Sequence, residues 1–154
     1  MDESAGRIVE INISPVHEEL PKSIDRVPAV AGRGLRGDRN FIADGEPRPG
    51  RDEDLTLIAM EALDALAAEH GIVLSAAESR RNVATRGVDL NALVGRRFRV
   101  GAVECQAIEL CEPCAHLQGL TQPGVLRGLV HRGGLRAAIV DGGDIAVGDE
   151  VRPL

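Results

Sequence analysis

Arg96-Arg97-Phe98-Arg99-Val100-Gly101-Ala102-Val103-Glu104-Cys105-Gln106-Ala107-Ile108-Glu109-Leu110 decides the fold class of this chain. It reads as two short strands, 96–100 and 103–110, and the second runs straight into Cys111-Glu112-Pro113-Cys114. Other stretches repeat the theme. Residues 7–13 (Arg-Ile-Val-Glu-Ile-Asn-Ile) alternate in strand fashion, with Ile8 and Ile11 only partly in phase, and Pro15 ends them. Short strands are also expected at 26–30, 55–58, 82–85, 135–140 and 149–153, with turns through Asp89-Leu90-Asn91 and Gly142-Gly143. Met60–His70 differs: Leu63, Leu66 and Ala67 share one face, Ala is abundant, and Gly71 suits the C′ position, so a helix is expected. Ser75-Ala76-Ala77-Glu78 has capping-box form, and Leu117, Leu120, Val125, Leu126 and Leu129 suggest short helical pieces. The sum is about seven or eight short strands with one clear helix near 60–70. That predicts a mainly β, barrel-like fold, and not a doubly wound sheet, because strands and helices do not alternate.

The chain has 154 residues, the size of one domain, and 44% are hydrophobic, enough for a folded core. There is no Trp or Tyr, and Phe41 and Phe98 are the two aromatics, so the core is aliphatic. A net charge of −6 and the lack of stacking platforms argue against nucleic-acid binding. No apolar run approaches the roughly 20 residues of a membrane span. The acidic Met1-Asp2-Glu3-Ser4 start carries no leader pattern, so a cytoplasmic location is expected. Three cysteines are an odd number for a disulfide framework, which turns attention to metal or thiol chemistry.

Cys111-Glu112-Pro113-Cys114 is the sharpest local feature. Pro113 fixes one φ angle and can start a helical turn at Cys114. A thiol at a helix N-terminus meets the positive end of the backbone dipole, which favours the thiolate that binds soft metals and attacks sulfur. Several readings compete. A thioredoxin-like redox pair needs a βαβ context. Structural zinc needs completion by Cys105, His116 or His131. A zinc deaminase fails: His17-Glu18-Glu19 has the right form, but Leu110 stands where proline should precede the cysteines. One functional thiolate with an accessory second cysteine, and two merely buried thiols, both stay open. Cys105, mid-strand, is expected to be a small core hydrophobe. His17 and His70 are expected on the surface.

Lys22 is the only lysine among 18 cationic residues; the rest are arginines. Arg33, Arg36 and Arg39 share one Gly-rich loop; Arg80, Arg81 and Arg86 surround Asn82; His131, Arg132 and Arg136 flank Gly133-Gly134. Glycine admits close backbone approach and arginine supplies bidentate charge, so these loops suggest a confined anion site in an acidic protein.

The ordered set of motifs resembles the MOSC domain, named for the C-terminal domain of molybdenum-cofactor sulfurases. It comprises Gly34-Leu35-Arg36-Gly37-Asp38-Arg39, then Ser79-Arg80-Arg81-Asn82-Val83-Ala84-Thr85-Arg86-Gly87-Val88-Asp89-Leu90. Leu93-Val94-Gly95-Arg96-Arg97-Phe98-Arg99-Val100-Gly101, Leu110-Cys111-Glu112-Pro113-Cys114, His131-Arg132-Gly133-Gly134-Leu135-Arg136-Ala137 and Val147-Gly148-Asp149-Glu150-Val151 follow. The resemblance implies a single domain over 1–154, with a core from about 7 to 152, and a β-barrel-like fold. It also implies binding of molybdenum cofactor (molybdopterin) or carriage of sulfur as a persulfide.

By that resemblance Cys114 is the catalytic residue and molybdenum ligand, with Cys111 secondary. Arg36, Asp38, Arg80, Arg81, Asn82, His131 and Arg132 would surround the cofactor. The implied activities are sulfur transfer or molybdenum-dependent reduction of N-hydroxylated compounds. Either needs an external partner, a sulfur-donor desulfurase or an electron donor. Pyridoxal phosphate belongs to larger relatives; here Lys22 offers a poor Schiff-base context and no site for it. The alternative is a non-enzymatic zinc-binding or partner-docking module built on Cys111 and Cys114.

Overall fold

The computed structural model describes residues 5–16, 19–43, 45–47 and 53–154. The acidic first residues, His17, Glu18 and much of the polar 44–54 stretch lie outside them. Eleven strands form among the described residues: β1 (Gly6–Ile13), β2 (Lys22–Ile24), β3 (Arg26–Val30), β4 (Gly34–Leu35), β5 (Leu55–Ala59), β6 (Val83–Arg86), β7 (Arg97–Val100), β8 (Val103–Leu110), β9 (Leu135–Asp141), β10 (Gly143–Ala146) and β11 (Glu150–Pro153). Four helices accompany them: α1 (Met60–His70), α2 (Ala76–Ser79), α3 (Ala115–Leu120) and α4 (Val125–Gly128).

Seven strands close a barrel in the order β11-β7-β8-β9-β5-β6-β1, with β1 pairing back onto β11 and β2 added outside β1. The mainly β, barrel-like expectation is met. A second sheet, β10-β3-β4, lies beside the barrel. Residues 142–143 were expected to be a turn only, but Gly143 already opens β10, which pairs with β3 far earlier in the chain.

The imperfect phase of Ile8 and Ile11 has a structural cause. The β1–β6 register shifts between Ile8 and Glu10, so residues three apart both point inward, at 1% and 0% exposure. Around them the interior is aliphatic, with Phe98 its one aromatic ring, in register with Cys105. Cys105 is wholly buried, and burial pushes its thiol up to about 12, so it behaves as a core hydrophobe.

β5 and β6 run parallel, joined by a crossover through α1 and α2. Leu55, Leu57 and Val83 face the barrel, while Ile58 and Ala84 pack outward with Leu63, Leu66, Leu117, Val125 and Leu129. Strands buried on both faces explain why 55–58 is almost continuously apolar. In α1 the buried residues are Ala62, Leu63 and Leu66; Ala67 is only half-buried. Gly71 follows α1 at φ 67, a left-handed geometry that a side chain rarely adopts. Ser75 and Glu78 form the expected capping box on α2.

This topology defines one end of the barrel. The C-terminal ends of β1 and β8 meet there with the N-terminal ends of β5, β6 and β9: Ile11 pairs with Val83, Leu57 with Val83 and Leu135, and Leu110 with Leu135. The cysteine loop leaves β8 at that end.

Candidate functional site

A cleft of about 240 Å³ opens at this end. Cys111 and Cys114 both line it, in different environments. Cys111 is 3% exposed, whereas Cys114 is the exposed thiol of the three. Cys114 is the N-cap residue of α3, as the proline before it suggested, and its carbonyl accepts from the Gln118 N–H at 3.1 Å. Residues 111–114 run without a turn or bend. Cys111 and Cys114 are both free thiols, one buried and one exposed.

Arg81 locks the thiol loop in place. Its Nε donates to the Gly133 carbonyl at 2.8 Å and its Nη2 to the Cys111 carbonyl at 3.2 Å. The Cys111 N–H donates in turn to the Gly134 carbonyl at 2.8 Å. Burial pushes the Arg81 guanidinium below its ordinary value; Cys111 and Cys114 act the other way, and Arg136 adds to the depression. Gly133-Gly134 is thus a packing requirement. A Cβ on Gly133 would lie 2.6 Å from the Cys111 carbonyl oxygen, and one on Gly134 would strike the Leu57 carbonyl.

Arg80, beside it, adopts a left-handed φ of 64 at the end of α2 and lines the cleft. Asn82 lines it too, but its amide is committed. Oδ1 accepts from the Thr56 N–H at 3.0 Å, and Nδ2 donates to the Asn12 carbonyl at 3.2 Å, tying β5 to β1. Asp38 is in the lining as well, with Oδ1 accepting from the Ser14 N–H at 2.8 Å and Oδ2 from Asn40.

Three expected residues are placed elsewhere. The Arg36 guanidinium stacks over Phe41, 5.1 Å from the ring centroid. Arg132 is held by Glu69 at 2.8 Å and by the Gly128 carbonyl at 3.0 Å, and lines a second, more open groove beside α1. His131 has a left-handed φ of 64 and is gripped by Glu112: its N–H donates at 2.7 Å and its Nδ1 lies 2.9 Å from the carboxylate. The Asn91 amide holds the His131 carbonyl at 2.7 Å. His131 therefore contacts the thiol loop through Glu112. Lys22 is exposed on β2.

The structure adds Arg39 and Arg136 to the cleft. Arg136 pairs with Glu53 at 3.1 Å. Arg39 was visible in the sequence as a member of the first Gly-rich loop, and Arg136 as a flank of Gly133-Gly134, but nothing local said which arginines turn inward.

The model of the MOSC domain family matches residues 44–152. The chain belongs to the MOSC domain family. Solved structures agree on the fold. The YuaD protein from Bacillus subtilis superposes with a TM-score of 0.81 at 18% identity, covering 96% of this chain and 94% of that one. YiiM from Geobacillus stearothermophilus gives 0.73 at 15% identity, covering 97% and 75%. YiiM from Escherichia coli gives 0.70 at 16%, covering 100% and 70%. No curated protein sequence matches the chain. In this MOSC domain no helix among the described residues is long and apolar enough to cross a membrane. No group of three or more His, Cys, Asp or Glu among those residues is arranged to hold a metal ion.

Proposed function

We propose that the cleft of this MOSC domain binds molybdenum cofactor, with Cys114 as the one protein ligand to the metal. The observation that carries the reading is an exposed thiol, Cys114, in a cleft where Arg39, Arg80, Arg81 and Arg136 stand against the carboxylates of Asp38, Glu53 and Asp54. The donor set fits such a group. Zinc draws three or four ligands from the protein, and the described residues gather no such cluster. A metal that arrives held by its own dithiolene asks for only one thiolate, and a phosphate tail asks for guanidinium groups. When bound, the cofactor would supply two-electron redox chemistry at its metal.

In this reading Cys114 holds the metal, while Arg39, Arg80 and Arg136 offer charge to the anionic end. Arg81 keeps the thiol loop in register. Asn82 and Asp38 shape the wall through their backbone bonds. His131 acts through Glu112, and Arg36 and Arg132 serve the frame around the cleft. The whole chain acts as one domain, in the cytoplasm, where thiols stay reduced.

Sulfur transfer uses the same exposed sulfur. The Cys114 thiolate attacks the terminal sulfur of a persulfide on a donor desulfurase, forming an S–S bond to Cys114. The donor's S–S bond breaks, the donor leaves as a thiolate with the electron pair, and the transferred sulfur keeps its proton. The reductase reading, acting on N-hydroxylated compounds, needs an electron-donor partner instead.

Expression in a cofactor-producing host, followed by molybdenum and pterin analysis, tests the binding. Molybdenum near one per chain in wild type and lost in Cys114→Ala is expected; near-zero molybdenum in wild type sinks the reading. Intact mass after incubation with a desulfurase and cysteine tests the carrier role, with a gain of about one sulfur atom on Cys114 expected. An unchanged mass rejects it.

A further inference from the structure

The helices pack over β5 and β6, and the apolar cluster beneath them takes no residue from β7, β8 or β11. On those three strands the outward side chains are mainly charged, and arginine leads. Phe98, Val100, Val103, Cys105 and Val151 belong to the barrel core. Strand alternation therefore turns Arg97, Arg99, Glu104 and Arg152 outward. Arg97 and Arg152 are each 50% exposed, and Arg99 is 37% exposed. Arg7, exposed on β1 beside the buried Ile8, extends the same wall.

Two carboxylates stand among these four guanidinium groups. Glu104 lies 2.7 Å from Arg97 and 3.9 Å from Arg99, and Glu150 lies 3.2 Å from Arg152. Arg7 donates to the Gly148 carbonyl at 3.2 Å. Arg99 and Arg152 face each other directly between β7 and β11, as do Arg7 and Arg86 between β1 and β6. Like charges so placed are destabilising. Asp64 answers Arg86 at 2.9 Å, and Asp141, in register with Glu104, bounds the wall on the β9 side. Between those edges the wall is net positive, on a chain of net charge −6. An acidic surface laid on it would supply further carboxylates, and arginine is the cation enriched at protein interfaces.

We infer that this wall is the docking face for the protein that delivers sulfur to Cys114, a partner whose contact surface is rich in Asp and Glu. Position supports the assignment. Arg97 pairs with Gln106, and β8 runs four residues further, about 14 Å, to Leu110 and the thiol loop. An interface of standard size is roughly 30 Å across. A partner centred on Arg99 therefore reaches the rim of the cleft while its carboxylates hold it on the barrel wall. The inference rests on the sulfur-transfer reading and adds to it the surface that recruits the donor.

A docking face governs transfer from a protein donor and leaves transfer from a small donor alone. The test follows sulfur loading of Cys114 in the full chain by intact mass, with two donors. One is a cysteine desulfurase of net negative charge, supplied with cysteine; the other is cysteine persulfide, which brings no protein surface. The double variant Arg99→Glu, Arg152→Glu is expected to load about tenfold more slowly from the desulfurase and at the wild-type rate from cysteine persulfide. Salt at about 0.3 M should slow the wild-type desulfurase reaction in the same way. Arg127→Glu, on α4 away from this wall, should load like wild type from both donors. If the double glutamate variant does not fold, Arg99→Gln with Arg152→Gln is read the same way. Equal desulfurase rates in the double variant and wild type overturn the docking face, as does a wild type loaded by cysteine persulfide but not by the desulfurase. Light scattering covers the remaining occupant: a wild type that is dimeric at low salt, and monomeric in the double variant, gives the wall to a second copy and overturns the proposal. Loading by neither donor sinks the carrier reading, and the docking face with it.

Discussion

The Nη2 of Arg81 lies 3.2 Å from the carbonyl oxygen of Cys111, so this half-buried cation grips the backbone of the thiol loop. A second bond, to Gly133, joins that loop to the 131–134 segment. Lysine cannot reproduce this, because it lacks the fixed fork that reaches both carbonyls. Arg81→Lys leaves one carbonyl unpaired and is expected to destabilise the fold by about 1–3 kcal/mol. The midpoint of urea unfolding measures it, and an unchanged midpoint means the loop is held by something else.

The three thiols differ in access by position alone. Cys114 is exposed, Cys111 is 3% exposed, and Cys105 is fully buried with its thiol pushed up to about 12. Brief alkylation of the native protein should therefore add one label, mapped by peptide mass to Cys114, and three labels after denaturation. Native labelling of Cys111 at a comparable rate would show that the loop opens.

Glu112 is held below the usual carboxylate range, chiefly because its carboxylate accepts the His131 N–H; the imidazole adds to this and desolvation opposes it. A depressed folded-state value contributes stability above the unfolded value near 4.5, lost as pH falls through the folded value. Wild type should accordingly be more stable than Glu112→Gln at pH 7, by less than about 1 kcal/mol because the pair is solvent-exposed. The gap should close as pH falls through the folded-state value of Glu112, which lies below 4.5. Thermal melts of both proteins across pH 3–8 check it, and a gap that persists at the acid end rejects this role for the carboxylate charge.

The barrel was legible where strands are long enough to carry a pattern, as in 103–110, or are buried on both faces, as in 55–58. β2 and β4 have three and two residues, too few for any alternation, and exist because β1 and β3 offer them an edge. The thiol loop stood out because a strand, a proline and a cysteine at a helix start are consecutive in sequence. The arginines did not sort themselves. Arg132 and Arg136 flank the same glycine pair, yet Arg132 is drawn away by Glu69, 63 residues distant, while Arg136 enters the cleft. Such choices are made by long-range partners, which local sequence does not display.

The glycine between those arginines and the thiol loop gives the sharpest contrast. A Cβ on Gly133 would meet the Cys111 carbonyl oxygen at 2.6 Å, Pro113 Cδ at 2.8 Å and Pro113 N at 3.0 Å. Backbone and a proline ring cannot rotate out of the way, so Gly133→Ala must push the thiol loop outward. The expected cost is about 1–3 kcal/mol, together with faster alkylation of Cys111 in the native protein. Gly119, within α3, is the control, because a Cβ there meets nothing within 4 Å. Gly119→Ala should leave Cys111 protected and stabilise the fold by roughly 0.5–1 kcal/mol through helix propensity. Unfolding midpoints and labelling rates of the two variants, measured side by side, decide it. Equal midpoints for the pair would mean that the 131–134 segment does not press on the thiol loop.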